Sequence, residues 1–216
     1  MDISVLYDRW AEPGFKTGYG FSCLVGDRLL FDAGYDKETL LFNMRRAGVD
    51  LDKIDKVFIS HDHGNHAGGV DILSVLGKVE VFVPKSSPRI LKRRLASHEN
   101  ATVVEVRKAG EISEGLYTTG QLGRLVKEQS LVVETDRGVT VVVGCCHPGV
   151  VRVMRAASRF GEIYGMVGGF HGFRRLEELS GVSLIAPCHC TLMKHVMMAI
   201  YPETCIRCSA GRRIEV

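Results

Sequence analysis

No stretch of this sequence is long and apolar enough to span a membrane; the longest apolar runs, such as Val139 to Val143, are strand-sized. Nor is there a recognisable leader, because MDISVLYDRW places acids where a signal peptide needs bases and then an apolar block. These absences predict a cytoplasmic protein with no membrane partner. A strong charge of one sign is also missing. The net charge is +3 over 216 residues, too mild to argue for nucleic acid but no barrier to an anionic small molecule. No short-period repeat, low-complexity tract or linker interrupts the chain, so one domain over residues 1–216 is expected. The seven cysteines are odd in number and not spaced like a secreted disulfide framework.

What is present is an alternation of short apolar strands and helices. Ile3–Tyr7, Phe21–Val25 and Arg28–Asp32 read as strands, the last two joined by the turn Gly26-Asp27. Lys37–Ala47 has the helical spacing of Leu40, Leu41 and Met44, with Gly48 to close it. Further strands are expected at 57–60, 79–83, 102–106, 115–119, 131–135, 139–143, 163–167, 183–186, 203–207 and 212–215. Helices are expected at 70–76, 88–95, 149–160, 176–179 and 192–200. Two hairpin-rich stretches each give way to βα units, which suggests an α/β (α+β) protein of two mixed sheets, each covered by helices on its outer face.

The histidines carry the chemistry. His61, His63 and His66 fall in Ser60-His61-Asp62-His63-Gly64-Asn65-His66-Ala67-Gly68-Gly69, directly after an apolar strand. Residues i and i+2 on a loop leaving a rigid strand can point the same way, and the glycines let the backbone bend tightly. Three imidazoles within six residues suit a transition-metal cluster. His147, His171 and His189 each follow a strand in the same setting: strand, small residues, histidine, helix. Side chains at strand ends along one sheet edge converge on one cleft. His98 and His195 fit no such context and read as structural or solvent-facing.

The stretch Leu30-Phe31-Asp32-Ala33-Gly34, the His61/His63/His66 cluster with Gly68-Gly69, and then His147 and His189 resemble, in this order, the metallo-β-lactamase superfamily. Within it, the phrases Glu128–Val133, Gly144–Gly149, Gly168–His171 and Pro187–Thr191 are most similar to the dihydropterin-methyl-ribofuranosyl-aminobenzene phosphate synthase-like group. The resemblance implies a four-layer αβ/βα sandwich with a metal site at the sheet edge. It implies His61, His63 and His147 as ligands of a first metal, and His66 and His189 as ligands of a second. Asp32 would orient a ligand histidine; its alternative role is a turn carboxylate before Ala33-Gly34.

The sequence departs from that pattern in three places. Asn65 stands where the superfamily has aspartate. The aspartate that bridges two metals is absent, and His171 falls about where it would be. The segment between Gly120 and Glu128 is short, which removes a pocket wall that a pterin-type substrate would use. Two cations about 3.5–4 Å apart with no carboxylate between them repel strongly. One tight metal at His61, His63 and His147 and a weak second one are therefore expected. Zinc is the leading candidate, with iron or manganese also suited to imidazole. Cys145, Cys146, Cys188 and Cys190 flank two of these histidines. Thiolate ligation is one role for them, and packing is the role that the resemblance favours. Cys205 and Cys208 form a lone CxxC, weak evidence for zinc; a disulfide to the Cys188/Cys190 region is its other use.

The function that follows is a metal-dependent hydrolase. A divalent metal on imidazoles lowers the pKa of bound water to about 7, giving hydroxide for attack on an ester, lactone or phosphoester. His171 is the candidate for proton transfer or charge stabilisation, and Arg124 and Lys127 are candidate contacts for an anionic substrate. Two alternatives stand beside it. One is a pterin-linked synthase-type transferase, and the other a non-catalytic metal or ligand binder with a degenerate site.

Overall fold

Two sheets lie face to face in the computed structural model, which describes residues 1–216. The strands, in chain order, are β1 (Asp2–Tyr7), β2 (Ser22–Val25), β3 (Leu29–Phe31), β4 (Lys56–Phe58), β5 (Val79–Pro84), β6 (Ala101–Val106), β7 (Gly110–Ser113), β8 (Leu116–Thr118), β9 (Leu131–Thr135), β10 (Gly138–Val143), β11 (Ile163–Gly169), β12 (Leu184–Cys188) and β13 (Arg213–Glu215). The helices are α1 (Lys37–Arg46), α2 (Gly64–Ala67), α3 (Arg89–Ala96), α4 (Val150–Ala157) and α5 (Lys194–Ile200). The first sheet runs β13-β1-β2-β3-β4-β5-β6 and the second β12-β11-β10-β9-β8-β7. Each is mixed: β3 to β6 are parallel, as are β10 to β12, and the remaining pairings are antiparallel.

Alternation along the strands builds the layers. Val5, Phe31, Phe58 and Phe82 from the first sheet meet Leu131, Val133, Val142 and Val167 from the second in a shared apolar core. The opposite face of the first sheet packs on Leu40 and Met44 of α1 and Leu91 and Leu95 of α3. The opposite face of the second packs on Val150 and Val153 of α4 and Met197 of α5. This is the expected four-layer sandwich. Helix α1 is well specified locally, with Asp36 accepting from the Thr39 N–H at 2.7 Å, arginines in its last turn, and Gly48 at φ +70° beyond it. No helix is long and apolar enough to cross a membrane.

Local departures from the sequence reading have physical causes. Residues 203–207 are not a strand: they make one bridge, Ile185 to Cys205, before the chain is drawn to the disulfide at Cys208. Residues 70–75 form a 3₁₀ helix in place of an α-helix, while still burying Val70, Ile72 and Leu73. Strand β7 is an edge strand of Gly-Glu-Ile-Ser, a sequence with little β signature of its own.

The direction of the strands decides where function can sit. Strands β1 and β3 both run antiparallel to β2, so their C-terminal ends share an edge with those of β4 and β5. Gln129, just before β9, joins this edge to the second sheet. Its N–H donates to Ser60 O at 2.9 Å and its amide to Ile59 O at 2.9 Å.

Candidate metal centre

Every candidate histidine leaves the C-terminal end of a strand on this common edge. His61 and His63 follow β4, His66 lies in the four-residue helix α2, and His147, His171 and His189 follow β10, β11 and β12. The loop fits beneath its neighbours only because it carries glycine: a Cβ on Gly68 would meet Tyr35 O at 2.2 Å, and one on Gly69 would meet Ala33 O at 2.2 Å. Four non-glycine residues of the whole chain have positive φ, namely Asp32, Cys146, His171 and His189, and all four stand at this edge. Such strain at one place marks a built site.

The hydrogen bonds assign the nitrogens. Asp32 is fully buried; its Oδ1 accepts the Ser60 N–H at 2.7 Å, and its Oδ2 accepts the Ser60 hydroxyl at 2.7 Å. The same Oδ2 lies 2.7 Å from His66 Nδ1, which must therefore donate. Because the Ser60 proton goes to Asp32, His61 Nδ1 donates to Ser60 Oγ at 2.9 Å. The lone pairs of His61 and His66 are left on Nε2. His61 Nε2 lies 3.1 Å from His63 Nδ1, and His147 Nε2 is buried without a partner. The donor atoms of His61, His63 and His147 lie within 4.8 Å of one another. His171 is exposed, its ring 5.1 Å from that of His147. His66 and His189 face each other with rings 5.0 Å apart. Asn65 Nδ2 donates to His189 Nε2 at 2.7 Å, leaving the buried His189 Nδ1 unpaired.

Burial and mutual repulsion keep the rings of His61, His66, His147 and His189 neutral. Burial pushes His61 well below the ordinary histidine range, and it takes His66 and His189 down to about 3 and His147 to about 4, with neighbouring imidazoles adding to the shift. Neutral imidazole is the form that binds metal. Burial drives the Asp32 carboxyl upward, opposed by the two Ser60 donors. A divalent cation fits this donor set: imidazole nitrogens converge, the buried His147 Nε2 lacks a partner, and a carboxylate orients one ring from behind.

Several functional residues escaped the sequence reading. Glu128 is fully buried and accepts three backbone N–H groups at 2.9 Å each, from Cys145 and Cys146 on Oε1 and His147 on Oε2. Burial pushes its carboxyl up to about 7 against those three bonds. Asp8, buried at the end of β1, accepts the His189 N–H at 2.5 Å and lies 3.7 Å from the Lys194 ammonium. Its only sequence signal was the one Asp32 also gave, an acid closing an apolar strand. Ser60 also belongs to the site, as do Cys145 and Cys190, for which thiolate ligation is one of the two roles the sequence leaves open. Cys145 Sγ stands 3.1 Å from His66 Nε2, and Cys145 further groups with His189 and Cys190. Cys146, by contrast, packs in the apolar layer beneath α4, and Cys188 is bonded to Cys208.

Beside His147 lies a cleft of about 360 Å³ lined by Arg124, Leu125 and Arg152 among others. Lys127 does not face it as a free charge; its ammonium donates to Gly123 O at 2.7 Å. His98 lies 3.7 Å from Asp71 and His195 packs on Trp10, both away from the cluster.

Comparison with known proteins agrees with this geometry. The profile of the Metallo-beta-lactamase superfamily matches residues 18–153. The 7,8-dihydropterin-6-methyl-4-(beta-D-ribofuranosyl)-aminobenzene-5'-phosphate synthase of Methanocaldococcus jannaschii is 26% identical over 278 aligned positions, covering 97% of this chain and 93% of the relative. That alignment is longer than this chain, so the relative carries insertions. Among solved structures, Tm1679, described as a metal-dependent hydrolase of the beta-lactamase superfamily, superposes with a TM-score of 0.83 at 27% identity, covering 100% of this chain and 99% of that one. The metallo-beta-lactamase fold protein YhfI from Bacillus subtilis shares the fold, with a TM-score of 0.72 at 12% identity and 99% of both chains covered.

Proposed function

The chain belongs to the metallo-beta-lactamase superfamily, which implies a divalent metal, and from that premise we propose that it is a metal-dependent hydrolase of a small anionic ester or phosphoester. The observation that carries the reading is the convergence of ring nitrogens of His61, His63 and His147 beside an arginine-lined cleft. When bound, a zinc, iron or manganese ion there would polarise the substrate oxygen and acidify water. Arg124 and Arg152 bind and orient the anionic group, as guanidinium forks do with phosphate or carboxylate. His171, exposed beside His147, takes the proton of the attacking water and returns it to the leaving oxygen. Asp32 holds His66 in one tautomer, and Glu128 holds the turn that carries His147.

The likeness to the M. jannaschii synthase supports a second reading, a transferase in which no water is consumed. One assay separates the two. Protein reconstituted with zinc, manganese or iron is offered phosphodiester and thioester substrates, and pterin pyrophosphate with the aminobenzene acceptor. Metal-stimulated hydrolysis abolished by His63→Ala supports the hydrolase. Acceptor-dependent pyrophosphate release supports the synthase. Stoichiometric metal with turnover of neither would make the protein a binder.

A further inference from the structure

The second metal position has no carboxylate of its own. Asn65 is neutral, and β11 ends in Gly169. A Cβ on Gly169 would lie 2.4 Å from Gly144 O and 2.6 Å from Cys190 Sγ, so no side chain can stand at that strand end. A thiol takes the space instead. From β10 comes a second thiol, Cys145, whose Sγ lies 3.1 Å from His66 Nε2. The donor atoms of Cys145, His189 and Cys190 fall within 4.8 Å of one another, and so do those of His61, His66 and Cys145. Cys145 thus stands between the first histidine set and the second. His189 is 2% exposed and its Nδ1 has no partner. The His189 ring offers one nitrogen within reach of both thiols, a mixed nitrogen and sulfur donor set of the kind a metal takes. Both thiols are free, whereas their neighbour Cys188 is committed to a disulfide.

We propose that Cys145 and Cys190 are thiolate ligands of a second divalent metal, completed by His189 and His66, with sulfur supplying the negative charge that Asn65 cannot. Two nitrogens and two sulfurs form a soft, four-coordinate set of the kind zinc or iron takes. Binding releases both thiol protons to solvent and sets two negative charges against the ion. The repulsion between two cations that argued for an empty second position is thereby offset. The inference rests on the reading that the histidine cluster holds a metal.

The test is cobalt(II) loading of the reduced, intact protein under anaerobic conditions. Metal per chain, the d–d absorption and the sulfur-to-cobalt charge-transfer absorption are read together. Wild type is expected to hold two cobalt ions and show both absorptions. Cys145→Ser and Cys190→Ser should each fall to one ion, lose the sulfur absorption and keep the d–d bands of the histidine site, which also reports that they fold. X-ray absorption on the zinc-loaded wild type needs no variant and should show sulfur scattering at about 2.3 Å. Bound cobalt with neither sulfur signal, or a sulfur absorption that survives both substitutions, overturns the thiolate assignment and leaves the histidine site standing. No cobalt bound at all overturns both.

Discussion

Asp32 collects its hydrogen bonds on a backbone at φ +52°, a conformation that costs energy for a residue with a side chain. The arrangement persists because the carboxylate ties the end of β3 to Ser60 and fixes the tautomer of His66. Removing such a carboxylate typically costs about 10- to 100-fold in metal affinity. Asp32→Ala is therefore expected to weaken metal binding by that factor, measured by competition with a chromophoric chelator. Unchanged affinity would reduce Asp32 to a turn residue.

The turns after the strands carry the site, and the turn after β10 is the most heavily supported. Cys145, Cys146 and His147 present three consecutive N–H groups to one carboxylate, Glu128, from the segment before β9. Cys146 sits at φ +57° within that turn. A buried donor left unsatisfied costs about 1–3 kcal/mol. Glu128→Ala should destabilise the metal-free protein by roughly 3 kcal/mol or more and loosen His147. The paired measurement is thermal unfolding with chelator, then metal per chain. A variant as stable as wild type would show that solvent replaces the carboxylate freely. Nothing in the local sequence betrays Glu128, since three polar residues before an apolar strand are ordinary.

Two properties belong to the whole molecule. The Cys188–Cys208 disulfide ties the end of β12 to the C-terminal segment across 20 residues. A loop of that length constrains the unfolded chain by about 3 kcal/mol. Cys208→Ser should lower the melting temperature by about 10 °C; an unchanged melt would show that packing alone holds the segment. The second property is sensitivity to acid. His61, His66, His147 and His189 all have depressed folded pKa values. As pH falls below about 6.5 the unfolded chain takes protons on these rings while the folded protein does not, so stability declines toward acid. Asp8, Asp32 and Glu128 act in the opposite sense, because burial makes their folded carboxyls hold protons to higher pH. Four rings against three carboxyls leave the histidine sign. The chelated protein should melt progressively lower between about pH 7 and pH 5, and a melting temperature that rises over this range would contradict the assignment.

The sequence by itself determined the layered fold, through its order of strands and helices, and the neighbourhood of His61, His63 and His66, because those rings share one short loop. It also pointed to His147, His171 and His189, because each follows an apolar strand in the same setting, and parallel strands deliver their ends to one edge. Tertiary structure alone decided which side chains meet across that edge. Cys145 reaches Cys190 because β10, β11 and β12 are neighbours and Gly169 clears the space between them. Asp8 reaches His189 across 181 residues, and Glu128 reaches the His147 turn, through strand pairings that no local spacing encodes. A cysteine's neighbours determine whether it packs or ligates, and those neighbours come from other strands.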